Sequence, residues 1–166
     1  MTIDTTRLQE LSDRAAIAAV QYRYATASDS HDIELLRSCF GAQVEIDFSS
    51  GFGSPVVQVS ADEWVRNASS SMGGMTATHH LMTNLRIEFS GADHATCVTY
   101  VQANHHKPNP FGDSDQAVYG HYTNRFERTP EGWRIVGCKL TSRWMTGNFG
   151  IYGDLDAHWR RVQSAQ

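Results

Sequence analysis

The sequence predicts an α+β fold in which a long, curved, mixed to antiparallel sheet wraps as a cone around N-terminal helices. Three observations carry this. Helical spacing of apolar residues dominates the first part of the chain. Four long β-type segments follow, at about 76–89, 94–106, 116–128 and 132–144. Turn-forming stretches separate them: Ser90-Gly91-Ala92-Asp93, Lys107 to Asp113, and Thr129-Pro130-Glu131-Gly132. Helices first and a meander afterwards is the order of an α+β domain.

Taken in order, Leu8, Leu11, Ala15, Ala18, Tyr22 and Ala25 recur at helical steps over about 5–27, and Ile17, Val20 and Tyr24 widen the apolar face. Ser28-Asp29-Ser30 ends the pattern with residues that favour caps and turns. A short helix carrying Ile33, Leu35 and Leu36 is predicted at about 32–39. Alternation of Val44, Ile46 and Phe48 with Glu45 and Asp47 predicts a half-buried strand over 43–48. Gly51 to Pro55 reads as a loop and Val56-Val57-Gln58-Val59 as a short strand. Ser60 and Glu63 form a capping box for a helix through Trp64 to about Ser70, which Gly73-Gly74 ends. After the four strands, the tail over 146–166 reads as a lid or an arm, with a helical stretch through Trp159. No repeat or linker interrupts 1–166, so one domain is expected.

Composition narrows the function classes. Of the 166 residues, 40% are apolar and 19% charged, an ordinary globular balance with enough chain for a core. The net charge of −4 comes without any long basic run, which argues against nucleic-acid binding. No segment approaches the ~18 continuous apolar residues of a membrane helix, and Met1-Thr2-Ile3-Asp4 does not open a signal peptide. Cys39, Cys97 and Cys138 are unpaired and far apart, as reduced core thiols of a cytoplasmic protein would be.

The residues suited to chemistry are Asp29 and two histidine pairs, His79-His80 and His105-His106. Imidazole held by a carboxylate transfers protons near neutral pH. Strand alternation over 95–105 puts Ala95, Cys97, Thr99, Val101, Ala103 and His105 on one small, mostly apolar face, as a cavity lining would be. Over 116–128, Gln116, Val118, Gly120, Tyr122, Asn124 and Phe126 share a face, where Gly120 would leave room for a ligand and Tyr122 and Asn124 would orient it. In the first strand, His79 shares parity with Leu85, Ile87 and Phe89, so parity alone favours His79 on the apolar side; a bulge would reset this. In an unbroken helix Tyr24 lies ~140° from Asp29, so a shared site requires the helix to end or bend between them.

The stretches Leu11-Ser12-Asp13-Arg14-Ala15-Ala16-Ile17, Thr78-His79-His80-Leu81-Met82-Thr83-Asn84-Leu85-Arg86, Gly120-His121-Tyr122-Thr123-Asn124-Arg125-Phe126-Glu127-Arg128 and Gly132-Trp133-Arg134-Ile135 carry a family resemblance. So do Asp29-Ser30-His31-Asp32, Ile46-Asp47-Phe48 and Arg143-Trp144. The chain resembles the SnoaL-like branch of the nuclear-transport-factor-2-like superfamily, the branch of scytalone dehydratase, lindane dehydrochlorinase and bile-acid 7α-dehydratase. The resemblance implies the cone fold, His80 as catalytic base, Asp29 as its orienting carboxylate, and His105, Tyr24 and Arg143 as assisting groups. It also implies a homo-oligomer, a trimer in preference to a dimer, and Leu85, Ile87 and Phe89 offer an apolar strip for the contact. Ser28 and Phe48 stand where the dehydratase pattern has tyrosines, and Cys138 where the dehydrochlorinase pattern has arginine, so a different substrate is implied.

The expected activity is a dehydratase-type elimination on a hydrophobic cyclic, polyketide-, steroid- or aromatic-derived molecule, with no metal or organic cofactor. His80 would take a proton from carbon. Tyr24, Tyr122 or Arg143 would donate to the oxygen that gains charge, and His105 would protonate a departing hydroxyl. Tyr122, Asn124, Phe48, Trp64 and Val101 are the expected substrate contacts. An isomerase or cyclase would use the same groups, and a non-catalytic binding module would use the same cavity. Asp29, His80 and His105 also compose a two-histidine, one-carboxylate metal set, though no close-spaced ligand pair accompanies it. Tyr24 on an apolar helix face, Trp64 and Val101 equally fit simple packing.

Overall fold

A computed structural model describes residues 5–110 and 112–153. The elements run α1 (Thr5–Ser30), α2 (Ile33–Arg37), β1 (Phe40–Asp47), α3 (Ser49–Phe52), β2 (Val57–Ser60), α4 (Ala61–Met72), β3 (Ala77–Phe89), β4 (His94–His106), β5 (Asp115–Thr129) and β6 (Gly132–Gly147), with a 3-10 turn at Phe149–Tyr152. The sheet order is β2-β1-β6-β5-β4-β3, with β1 and β6 parallel and every other pair antiparallel. The sheet is mixed and open, with the helices against it. α3 replaces part of the expected loop at Gly51. Ser60 caps α4 as the sequence predicts, its Oγ accepting from the Glu63 N–H at 3.2 Å.

The buried residues of α1 are Asp13, Ile17, Val20, Gln21, Tyr24, Ala25 and Ala27, whereas Leu8 and Leu11 are 52% and 57% exposed. Ile17, Val20, Tyr24 and Ala25 are buried as the sequence predicts; the stripe departs from the expected one at Asp13 and Gln21, two polar members that find partners inside. Arg128 on β5 donates to both oxygens of Asp13, at 2.8 and 2.7 Å, and Trp133 Nε1 donates at 3.0 Å. The guanidinium lies 4.5 Å over the Trp133 ring. The Arg128 hydrogen bonds hold the Asp13 carboxyl down at about 2. Further along, Asn124 Nδ2 donates to Gln21 Oε1 at 2.8 Å. The apolar core between helices and sheet is built from residues such as Ile17, Val20, Phe40, Ile46, Phe126 and Ile135.

β3 carries a bulge that decides which histidine is inside. Its pairing with β4 shifts register between Thr83 and Arg86, where Asn84 adopts φ 54°. Asparagine enters this left-handed region at lower cost than most residues. Before the bulge Thr78, His80 and Met82 face inward; after it Leu85, Ile87 and Phe89 do. The parity reading that favoured His79 fails for this reason. The strip of Leu85, Ile87 and Phe89 is partly buried and packs against the core. The exposed apolar residues of the sheet are instead Leu81, Tyr100 and Trp144.

Gly120 does not leave room for a ligand. A Cβ there would lie 2.1 Å from the Thr141 carbonyl oxygen, so the glycine permits close approach of β5 and β6 at a register shift. The described part of the tail is the 3-10 turn, where Asn148 accepts from the Gly150 N–H at 2.8 Å and Lys107 donates to the Ile151 carbonyl at 3.2 Å. The expected helix through Trp159 lies outside the described residues. Among the described residues no helix is long and apolar enough to cross a membrane.

Candidate active site

A cavity of about 250 Å³ lies between the helices and the inner face of the sheet. Tyr24, Phe48, Trp64, Val101, His105 and Tyr122 all line it, as the sequence predicts, and so do Phe52, Leu140 and Tyr152. Ser69, Ser71, His31 and Asp32 add polar groups to the lining.

His80 is the cavity histidine. Its side chain is 6% exposed, against 70% for that of His79. Asp29, in the last turn of α1, lies behind the wall. Its Oδ1 is 2.7 Å from His80 Nδ1, and its oxygens accept the His80 backbone N–H at 2.9 and 3.1 Å. Thr78 Oγ1 donates at 3.2 Å. Burial pushes the Asp29 carboxyl up, but the bonds from the His80 ring and backbone, the His80 charge and Thr78 outweigh it and leave the group below its usual value. A carboxylate so held makes Nδ1 the protonated nitrogen of His80 and leaves Nε2 as a lone pair. No described protein group hydrogen-bonds that Nε2. His79 Nδ1 stands 3.9 Å from the other Asp29 oxygen, on the solvent side.

α1 runs unbroken through Ser30, yet Tyr24 and Asp29 meet the same imidazole. The His80 ring bridges the angle between them: it contacts Asp29 behind the wall and lies 6.5 Å from the Tyr24 ring. The helix break expected from the ~140° separation is therefore unnecessary. Tyr24 and Tyr122 pack edge to face, their ring centroids 5.6 Å apart. Burial raises both phenols far above their ordinary value, so they act as neutral hydroxyls.

His105 lies 5.6 Å from His80, ring to ring, edge to face. Its Nδ1 is 3.0 Å from Gln116 Oε1 and 2.8 Å from the Tyr152 hydroxyl, and that hydroxyl is 2.5 Å from Gln116 Oε1. Burial, then the His80 charge, lowers His105 to about 4. That lowering favours the neutral imidazole at pH 7, because an imidazole desolvated beside a second imidazole holds an extra proton poorly.

Two expected site residues lie elsewhere. Arg143 is exposed on the outer face of the sheet, beside Leu81, Tyr100 and the stacked Tyr119–Trp144 pair, because its position on β6 points away from the helices. Asn124 is fully buried on Gln21 and does not line the cavity. No lysine or arginine lines the cavity among the described residues. Nor do three or more His, Cys, Asp and Glu side chains converge as metal ligands among them. Burial raises the Cys39 and Cys97 thiols to about 11 and that of Cys138 further, so none is a ready nucleophile. Sequence reasoning missed Tyr152; an aromatic between Gly150 and Gly153 in a tail was the available signal. It missed Gln116 as a histidine partner, although parity had put both on inward faces.

No curated protein matches the chain. Solved structures do. A protein from Kribbella flavida, Kfla4162, superposes with a TM-score of 0.81 at 31% identity, over 86% of this chain and 98% of that one. A hexachlorocyclohexane dehydrochlorinase, LinA type 2, superposes with a TM-score of 0.72 at 21% identity, over 87% and 94%. A candidate scytalone dehydratase from Novosphingobium aromaticivorans gives 0.71 at 20%, over 84% and 90%. These last two likenesses establish the fold. Residues 9–139 match the family model of the SnoaL-like domain, and the chain belongs to that family.

Proposed function

We propose that this chain is a cofactor-independent lyase that takes a proton from carbon in a small, neutral, ring-containing molecule. The observation that carries the reading is the His80–Asp29 contact of 2.7 Å with the free Nε2 in an apolar cavity. Neutral His80 takes the proton through Nε2. Asp29 stabilises the imidazolium, as the acid does in a Ser-His-Asp triad. The Tyr24–Tyr122 pair supplies the neutral donor for the oxygen on which charge develops, two of the three residues the sequence offered for that role. The electron pair of the broken C–H bond forms the new double bond as the leaving group departs. That group leaves as a stable anion, or as water by taking back the proton that His80 has just received.

Size supports a narrower substrate class than the sequence did. A cavity of roughly 150 Å³ accommodates benzene, so about 250 Å³ suits one substituted ring or two fused rings rather than an enclosed steroid. The absence of a lining cation among the described residues favours an uncharged reacting portion. The dehydratase and dehydrochlorinase among the fold neighbours agree with elimination. An isomerase would share the proton-abstraction step.

Proton abstraction can be tested before the leaving group is known. Ring ketones such as 1-indanone and 2-tetralone, incubated with the protein in D₂O, should exchange their α-hydrogens faster than in buffer, and His80→Ala should abolish the excess. Exchange that survives in His80→Ala rejects His80 as the base. No excess exchange with any of a panel of one- and two-ring ketones rejects the proposed substrate class.

A further inference from the structure

His105 lines the cavity, but its Nδ1 is already committed. That atom faces Gln116 Oε1 at 3.0 Å and the Tyr152 hydroxyl at 2.8 Å, and Tyr152 in turn meets Gln116 Oε1 at 2.5 Å. Gln116 is 1% exposed, so its amide oxygen has no water to turn to and needs donors from the protein. Tyr152 has one hydroxyl proton. If it goes to Gln116, the phenol oxygen is free to accept, and both neighbours of Nδ1 are then acceptors. With the Gln116 oxygen turned to this side and its Nε2 left without a partner behind it, only a protonated Nδ1 satisfies them. No described protein group hydrogen-bonds His105 Nε2.

We propose that Gln116 and the tail residue Tyr152 are a positioning pair that fixes His105 as the neutral imidazole protonated on Nδ1, so that its bare Nε2 is a second hydrogen-bond acceptor in the cavity. The site then holds two lone-pair nitrogens, those of His80 and His105, and the hydroxyl donors of the tyrosine pair. Its complement is a ligand with a hydroxyl or N–H group for His105, beside the C–H that faces His80, and an oxygen for the tyrosines. A hydroxyl held at His105 has its proton drawn away from its oxygen, the opposite of what departure requires, so it is retained through the reaction. Low proton affinity at His105 keeps the imidazole in this acceptor form across the neutral range. Tyr152 follows the residues that match the family model, so this device belongs to the chain's own tail.

The tautomer stands apart from catalysis; the ligand class rests on the cavity being the substrate site proposed above. Long-range ¹H–¹⁵N spectra of the full-length protein at pH 7 read the tautomer directly. His105 should show a pyrrole-type Nδ1 and a pyridine-type Nε2. In Tyr152→Phe the two shifts should move toward each other while the near-UV circular dichroism stays native, and Gln116→Met should move them further. A protonated Nε2 in the wild type, or unchanged shifts in both variants, overturns the positioning role. The ligand class is tested by titration calorimetry with 1-indanol, which donates a hydrogen bond, and 1-indanone, which only accepts. One net hydrogen bond predicts about 3- to 10-fold tighter binding of the alcohol, narrowing in Tyr152→Phe with His80 intact. Tighter binding of the ketone, or a preference that Tyr152→Phe leaves unchanged, overturns the acceptor role. Failure of both probes to bind overturns the ligand class together with the substrate reading beneath it, and leaves the tautomer to be judged by its own spectra.

Discussion

His105 makes the acid stability of this protein calculable. Its proton affinity falls from the ordinary 6.5 to about 4 in the folded chain. The unfolded chain therefore binds a proton that the native state refuses, between those two values. Stability rises with pH wherever the unfolded state holds more protons. The native state is thus undisturbed by this group above pH 7 and loses stability as the pH drops through 6.5 toward 4. At pH 4.5 the linkage relation gives a loss of roughly 2–3 kcal/mol relative to pH 7. The His105 side chain is well buried, so solvent screening takes little from this figure. Asp13, Asp29 and Asp47 shift the other way, below the ordinary carboxylate value, and lose their contribution only under more acid conditions. The assay is urea unfolding at pH 7 and pH 4.5 for the wild type and His105→Gln. With a typical slope of 1–3 kcal/mol per molar urea, the wild-type midpoint should fall by about 1 M more than that of the variant. Equal falls in the two proteins would refute the argument, because they would show that His105 charges as easily folded as unfolded.

Asp29→Asn keeps an acceptor for the His80 backbone but can offer an N–H to Nδ1; exchange of ketone α-hydrogens should fall about 10³- to 10⁴-fold, and a variant within tenfold of wild type would remove Asp29 as the orienting group. Asn84→Val forces a β-branched residue to φ 54°, so a loss of about 1–3 kcal/mol is expected in denaturant unfolding, whereas Asn84→Gly should be within about 1 kcal/mol of wild type. The exposed Leu81, Tyr100 and Trp144 face is where a second copy would dock; light scattering should show an oligomer for the wild type and a smaller species for Trp144→Glu, and a monomeric wild type would end that proposal.

The sequence made the order of elements legible because helical and strand periodicities are separated along the chain. It missed part of the α1 stripe because a reader of apolar spacing gives no credit to Asp13 or Gln21, whose burial depends on Arg128, Trp133 and Asn124, more than a hundred residues away. Parity failed in β3 and succeeded in β4 for one reason: β3 holds an extra residue near Asn84, and β4 stays in step with β5 throughout. The resemblance reached the imidazole that lines the cavity where alternation did not. Tyr152 was beyond either method, since a single turn after a glycine has no period, and its role is set by a contact with β4 and β5 that only the folded tail makes.

The Arg128 clasp on Asp13 gives α1 a fixed origin. Asp29 follows 16 residues later (29 − 13), about 24 Å along a helix that rises 1.5 Å per residue. The carboxylate that orients His80 is thus set out by a rigid strut from a peg at a distance. A slip of one residue along that strut would carry Asp29 about 1.5 Å, enough to part a 2.7 Å hydrogen bond. Asp13, Arg128 and Trp133 do not line the cavity, yet they set where on α1 the carboxylate beside His80 stands.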